Sequence, residues 1–193
     1  MRIVIVDDSG LRATVLEEGL REAGYDDIQV VPPRGAFVAR IERMAPDVVL
    51  MDLGSPSRDT LEEMLAVSRA LARPIAMFVD QSDDAMIGAA IDAGVSAYVV
   101  DGLRKERVKP ILDLAIRRFN AFARMQSELD EARSALSERK TIDRAKAILM
   151  ESRQLNEADA YALLRTTAMN QGRRIVEVAE ALITASSLLG GQS

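Results

Sequence analysis

The chain has no cysteine, no histidine and no tryptophan. Those absences exclude disulfides, zinc sites of the Cys/His kind, thiol nucleophiles and imidazole general bases. Any chemistry must come from carboxylates, hydroxyls, lysine and arginine. No apolar run approaches the roughly 18 residues that a membrane span needs. The opening MRIVIVDDSG turns acidic too early for a signal peptide. A cytoplasmic protein with no membrane contact is therefore expected.

Proline and glycine are scarce in an uneven way. All six prolines lie at or before Pro110, and no glycine falls between Gly102 and Gly172. Turn-rich alternation gives way to a long stretch without helix breakers, which marks a boundary. Charge divides similarly. The formal net charge is −5, yet residues 1–116 hold 13 basic and 20 acidic side chains, and residues 117–193 hold 12 and 10. The two parts are expected to meet different partners. With 193 residues there is chain enough for one domain or two small ones.

In the first part, short apolar runs end in Asp or turn residues: RIVIVDD, DIQVV, DVVLMD, PIAMFVD and AYVVD. They are rich in Val and Ile without strict alternation, as in strands buried on both faces of a parallel sheet. Helical patterns lie between them, over 11–23, 34–44, 59–72 and 84–93, with a fifth starting near Arg104. This alternation predicts an α/β fold, a five-stranded doubly wound parallel sheet of flavodoxin-like type, strand order 2-1-3-4-5. Ligands of such sheets bind at the carboxyl ends of the strands. Asp7, Asp8, Asp52, Asp80 and Asp101 would all lie at that edge.

From about Arg104 to Gln171 only Pro110 interrupts helical sequence, and a first-turn position would accommodate it. Phe122, Met125, Leu129, Ala132 and Leu136 recur at 3-4-3-4 spacing. Two heptads fit either a dimerisation seam or a plain amphipathic helix. Beyond Ser137 three short helices are expected, the first continuing the long one; Asn156 caps the second and Gly172 ends it. The expected divisions are 1–120 for the sheet domain, 121–134 for a helical linker and dimerisation segment, and 135–193 for a small three-helix domain.

The VDD after the first strand and LMDLG after the third resemble the receiver domain of two-component response regulators. The resemblance implies Asp52 as phosphoryl acceptor, with Asp7, Asp8 and Asp52 around Mg2+. Hard oxygen ligands suit that ion. Two positions depart from the family. Val79 stands where a Ser or Thr is usual, and Asp101 where a Lys is usual. Valine cannot bond a phosphoryl oxygen. An aspartate there turns attraction into repulsion, on the order of 4 kcal/mol at about 4 Å and an effective dielectric near 20. Asp101 also reads as a solvated residue of a DG turn. Tyr98, where receivers often carry a switching aromatic, reads equally as a packed strand residue. The resemblance thus favours a receiver used as a protein-docking platform over one switched by phosphorylation. No cofactor is required, and Mg2+ is the ion the acidic edge could accept.

The stretch ALSERKTIDRAKAILM, followed by LNEADAYALLRTTAMNQGRRIVEVAEALI, closely resembles the ANTAR domain, an RNA-binding module of transcription antiterminators. Ala147 stands where that family commonly has Gly. Residues 133–176 hold 9 basic and 5 acidic side chains, a local excess inside an acidic protein. Arg139, Lys140, Arg144, Lys146, Arg165, Arg173 and Arg174 are the RNA-binding candidates. Loss of Lys146 and Arg165 is expected to abolish leader binding. Tyr161, beside Ala160 and Leu164, is expected in the core. An atypical receiver joined to an ANTAR module is similar to the NasT group of nitrate and nitrite assimilation regulators. That similarity implies a non-enzymatic dimeric antiterminator binding hairpins in nascent leader RNA, controlled by a ligand-sensing partner of the periplasmic-binding-protein type. The alternatives are a phosphorylation-switched regulator that binds DNA and a pure protein adaptor.

Overall fold

The computed structural model describes residues 1–7, 10–34, 37–53, 58–101 and 103–189. Two compact units are distinguished, Met1–Ala123 and Arg124–Ser193.

In the first unit, β1 (Ile3–Val6), β2 (Ile28–Val31), β3 (Val48–Asp52), β4 (Ile75–Val79) and β5 (Ala97–Val100) alternate with α1 (Leu11–Glu22), α2 (Phe37–Met44), α3 (Arg58–Leu71) and α4 (Asp84–Asp92). All pairings are parallel and the order is β2-β1-β3-β4-β5, the expected topology. The three inner strands are buried along their whole length, whereas β2 and β5 are partly open, as befits edges.

Alternation along each strand divides the core. Val4, Val6, Val49, Met51, Ile75, Met77 and Val79 pack with Phe37 and Ile41 of α2, Leu65 and Val67 of α3, and Ala90 of α4. Ile3, Ile5, Val48, Leu50, Ala76 and Phe78 pack with Ala13, Leu16 and Leu20 of α1 and with Val108, Leu112 and Ala115. Those last three belong to α5 (Lys105–Arg153), a helix of 49 residues. The face of α1 and α5 is therefore the one shared by even positions of β3 and β4. Gly19 lets α1 approach α5 closely: a Cβ there would stand 2.8 Å from the Lys105 carbonyl oxygen.

Pro110 differs from expectation. Because α5 begins at Lys105, the proline falls inside the helix beyond its first turn. Lacking an N–H, it cannot donate to the carbonyl four residues earlier.

The second unit contains the rest of α5, then α6 (Glu157–Gln171) and α7 (Ile175–Leu189). The Asn156 side chain accepts the Asp159 N–H at 2.9 Å, and Gly172 ends α6 in the left-handed region at φ 62°. Ala145, Leu149, Ala160, Leu164, Ala168, Val178 and Ala179 form its core. The small alanines permit close packing, while Leu and Val fill the remainder. Among the described residues no helix is long and apolar enough to cross a membrane.

Candidate functional site

At the carboxyl edge of the sheet, Asp52 ends β3 with no solvent exposure. Its position has the parity of Val48 and Leu50, so the carboxylate lies on the side of α1 and α5. In register, Asp52 is paired with Phe78 of β4, and Asp80 follows two positions later with the same parity. Both acids therefore face the first turn of α1, where Arg12 sits. The Arg12 Nε donates to both Asp52 oxygens at 2.8 Å, and a terminal nitrogen lies 2.7 Å from Oδ1. The other terminal nitrogen bonds Asp80 Oδ1. Hydrogen bonding to Asp52, reinforced by Asp80, holds the guanidinium's pKa above its ordinary value.

Asp7 is also buried. One of its carboxylate oxygens accepts N–H groups from Gly10 at 2.8 Å and Ala13 at 3.1 Å. It thus caps α1 from upstream, satisfying amide groups that the helix itself leaves unpaired. Asp8, expected with Asp7 on a metal, lies outside the described residues.

The carboxylates described at this edge are donors of the kind Mg2+ takes, but Asp52 and Asp80 are already engaged by Arg12. That ion demands near-octahedral oxygen coordination at about 2.0–2.1 Å, but a guanidinium covers both Asp52 oxygens. Val79 is packed among the apolar residues facing α2, α3 and α4 and has no polar atom to offer. Asp101 is exposed at φ 46°, a conformation Asp tolerates in turns, and its N–H donates to the Val79 carbonyl at 2.9 Å. It shares a shallow cleft with Arg12, Asp80 and Arg104. Tyr98 is half-buried and its hydroxyl lies 2.8 Å from the Ser82 hydroxyl.

Arg12 escaped the sequence reading, although a signal was present. An arginine in the first turn opposes the helix dipole, so it needs acidic partners. The strand parity of Asp52 and Asp80 supplies them.

The second unit sorts the basic candidates into two groups. Lys146 is only 14% exposed and bonds Asp143 and Glu157, each at 2.7 Å, joining α5 to the start of α6. Its pKa is raised, chiefly by the hydrogen bond to Asp143 and then by that to Glu157; the Asp143 carboxyl is correspondingly lowered by Lys146. Arg174 reaches Glu138 at 2.5 Å, Arg173 reaches Glu177 at 3.3 Å, and Arg139 is 3.9 Å from Asp143. Lys140, Arg144 and Arg165 are exposed, with no acidic partner among the described residues. Tyr161 corrects the core expectation: it is 44% exposed and lines an open groove with Arg139, Ile142, Lys146 and Met150. The core position on that turn belongs to Ala160 and Leu164, which sit one residue before and three after it.

Comparison with known proteins separates the same two regions. The family model described as response regulator receiver domain matches residues 3–113, and that described as ANTAR domain matches residues 130–183. The chain is 29% identical over 182 residues to the transcriptional regulatory protein PdtaR of Mycobacterium tuberculosis, covering 94% of this chain and 89% of that protein. It is 35% identical over 80 residues to the nitrate regulatory protein of Klebsiella oxytoca, covering 42% of this chain and 20% of that protein. Among solved structures, a CheY-like receiver domain protein from Methanospirillum hungatei aligns at TM-score 0.53 and 18% identity, covering 62% of this chain and 96% of that chain. A receiver domain from Desulfovibrio desulfuricans aligns at 0.52 and 21%, covering 62% and 95%. At such identities the structural likeness concerns the fold.

Proposed function

Because the chain belongs to the response regulator family, with a receiver domain and an ANTAR domain, we propose that it is an RNA-binding transcription antiterminator whose receiver is controlled by a docked protein. The observation that carries this reading is the basic surplus of residues 133–176 in an otherwise acidic chain. Of the seven candidate cations, Lys140 and Arg144 on α5 and Arg165 on α6 are exposed and uncommitted within the described residues. Phosphate contacts from them release counterions from the RNA, which makes affinity fall with salt. Arg139, Lys146, Arg173 and Arg174 contribute once RNA phosphates compete with their acidic partners.

The target is a short hairpin in a nascent leader. Duplex DNA is the competing candidate, since α6 and α7 are joined by a short turn over 172–174; the ANTAR match is what favours RNA. One sequence tested as hairpin RNA and as duplex DNA in gel-shift assays separates the two. Retention of the RNA alone supports antitermination, whereas retention of the DNA alone overturns it. Crosslinking in cells followed by sequencing of the attached RNA then names the operon. A leader of nitrate or nitrite assimilation genes is the expected target, and the naming of the Klebsiella relative supports that choice.

The receiver reading rests on Val79 and Asp101, which lack the phosphoryl contacts of switching receivers. A ligand-sensing partner of the periplasmic-binding-protein type is the proposed controller. Homodimerisation is proposed along α5, where Phe122, Met125, Leu129 and Leu136 are 67%, 60%, 45% and 55% exposed at heptad-like spacing. The functional divisions proposed are 1–120, 121–134 and 135–193.

A further inference from the structure

We propose that the Arg12 guanidinium is the resident cation of the acidic edge, standing in the place of a divalent ion, so that the resting receiver takes up no Mg2+ there. Three observations converge on this assignment.

The first is coverage. Arg12 spans both oxygens of a carboxylate with no solvent exposure, at 2.7–2.8 Å, and its remaining terminal nitrogen is bonded to Asp80. A planar guanidinium matches this arrangement: it is weakly hydrated, carries several donors in a fixed fork and stays charged at any relevant pH. Magnesium would need the same Asp52 oxygens while keeping most of its water.

The second is anchorage. Asp7 binds the N–H groups of Gly10 and Ala13, on either side of Arg12 in the chain. The acid that would join a metal therefore holds the backbone from which the guanidinium extends. Drawing Asp7 toward an ion would loosen the start of α1.

The third is the added acid. Asp80 follows β4 on the same face as Asp52 and fixes the outer part of the guanidinium. Withdrawal of Arg12 breaks both pairs at once. Without withdrawal, an entering divalent ion would stand against a fixed positive charge.

The inference rests on the receiver reading of the first unit and deepens its partner-controlled part. It is independent of RNA binding. The test is Mn2+ titration of the full-length protein followed by electron paramagnetic resonance of the free ion. Arg12→Ala, Asp80→Asn, Asp52→Asn and the double variant Arg12→Ala/Asp52→Asn are compared, with circular dichroism to establish folding. The native chain is expected to show no saturable site in the millimolar range. Arg12→Ala should gain one, at least about tenfold tighter than any residual native binding, and the double variant should lose it again. Should Arg12→Ala fail to fold, Asp80→Asn keeps the arginine but releases half of its hold, and a gain in Mn2+ affinity is expected there as well. A saturable native site that Asp52→Asn removes overturns the proposal, as does the absence of any gain in folded Arg12→Ala or Asp80→Asn. Pull-down of the sensing partner and RNA gel shifts with the native chain are separate readouts, so failure of the cation assignment is distinguishable from failure of the proposed function.

Discussion

Arg12 shows how one side chain can decide the character of a site. Asp52 is buried at the end of an inner strand, where an uncompensated carboxylate would be costly, and the guanidinium supplies its compensation. Arg12→Ala is expected to destabilise the first unit by roughly 3–5 kcal/mol, read from urea unfolding, because it strands a buried charge. Arg12→Lys should recover only part of this, since an ammonium cannot span two oxygens and Asp80 together. In the second unit, under the proposed RNA binding, Arg144→Ala and Arg165→Ala are expected to weaken hairpin binding while leaving the melting temperature unchanged. Each should reduce the steepness of log K against log salt by about 0.7–1, the signature of one lost phosphate contact. Lys146 differs in kind, because its ammonium is already committed inside the unit.

Among the elements, the junction of α5 with α6 is the place to test that difference. Lys146→Ala removes the link from Asp143 to Glu157 and is expected to lower the melting temperature of the second unit, as followed by circular dichroism. The pH dependence follows from the two shifts. Lys146 has a raised pKa, so its contribution is complete below the ordinary lysine range and is lost as pH rises through the raised value. Asp143 has a lowered pKa, so its contribution is present above the ordinary carboxylate range and is lost as pH falls through the lowered value. The junction should therefore add a constant increment to stability between about pH 5 and 9, with losses only outside that window. At the α1–α5 contact, Gly19→Ala pushes a methyl against the Lys105 carbonyl and Val108. A cost of about 1–3 kcal/mol in denaturant unfolding is expected, because neither backbone can yield freely.

For the molecule as a whole, an acidic sheet unit and a helical unit whose residues 133–176 carry a local basic surplus are joined in one chain through α5. Such a division suits separate reception and output, each with its own partner. Under the proposed control by docking, Asp52→Asn is expected to leave regulated antitermination intact in a leader-reporter assay, because docking needs no phosphoryl group at that residue. An Asp52→Asn protein locked in one state would restore phosphorylation as the switch. If the proposed α5 dimer forms, paired substitution of Met125 and Leu129 by Glu should convert it to monomer in analytical ultracentrifugation, since both side chains are exposed and would bring like charges together across the seam.

The sheet was legible from local pattern alone. Runs such as DVVLMD and PIAMFVD, separated by helical spacing, specify buried parallel strands because only such strands are apolar on both faces. Short connections and the handedness of the crossovers narrowed their order to a leading candidate, which the pairings bear out. The Asn156 cap and the Gly172 stop were legible for the same reason, being decided within a few residues. What the sequence could not determine was which charges meet. Arg12 lies 40 positions from Asp52 and 68 from Asp80, and only the register of β3 with β4 and the packing of α1 bring the three together. Lys146 and Arg144 likewise look equivalent on one helix until α6 covers one and leaves the other in solvent. Local propensity acts through neighbours in the chain. Charge pairing acts through space, so the tertiary fold alone paired Asp52 with Arg12 and divided the basic candidates into those held by acidic partners and those left exposed.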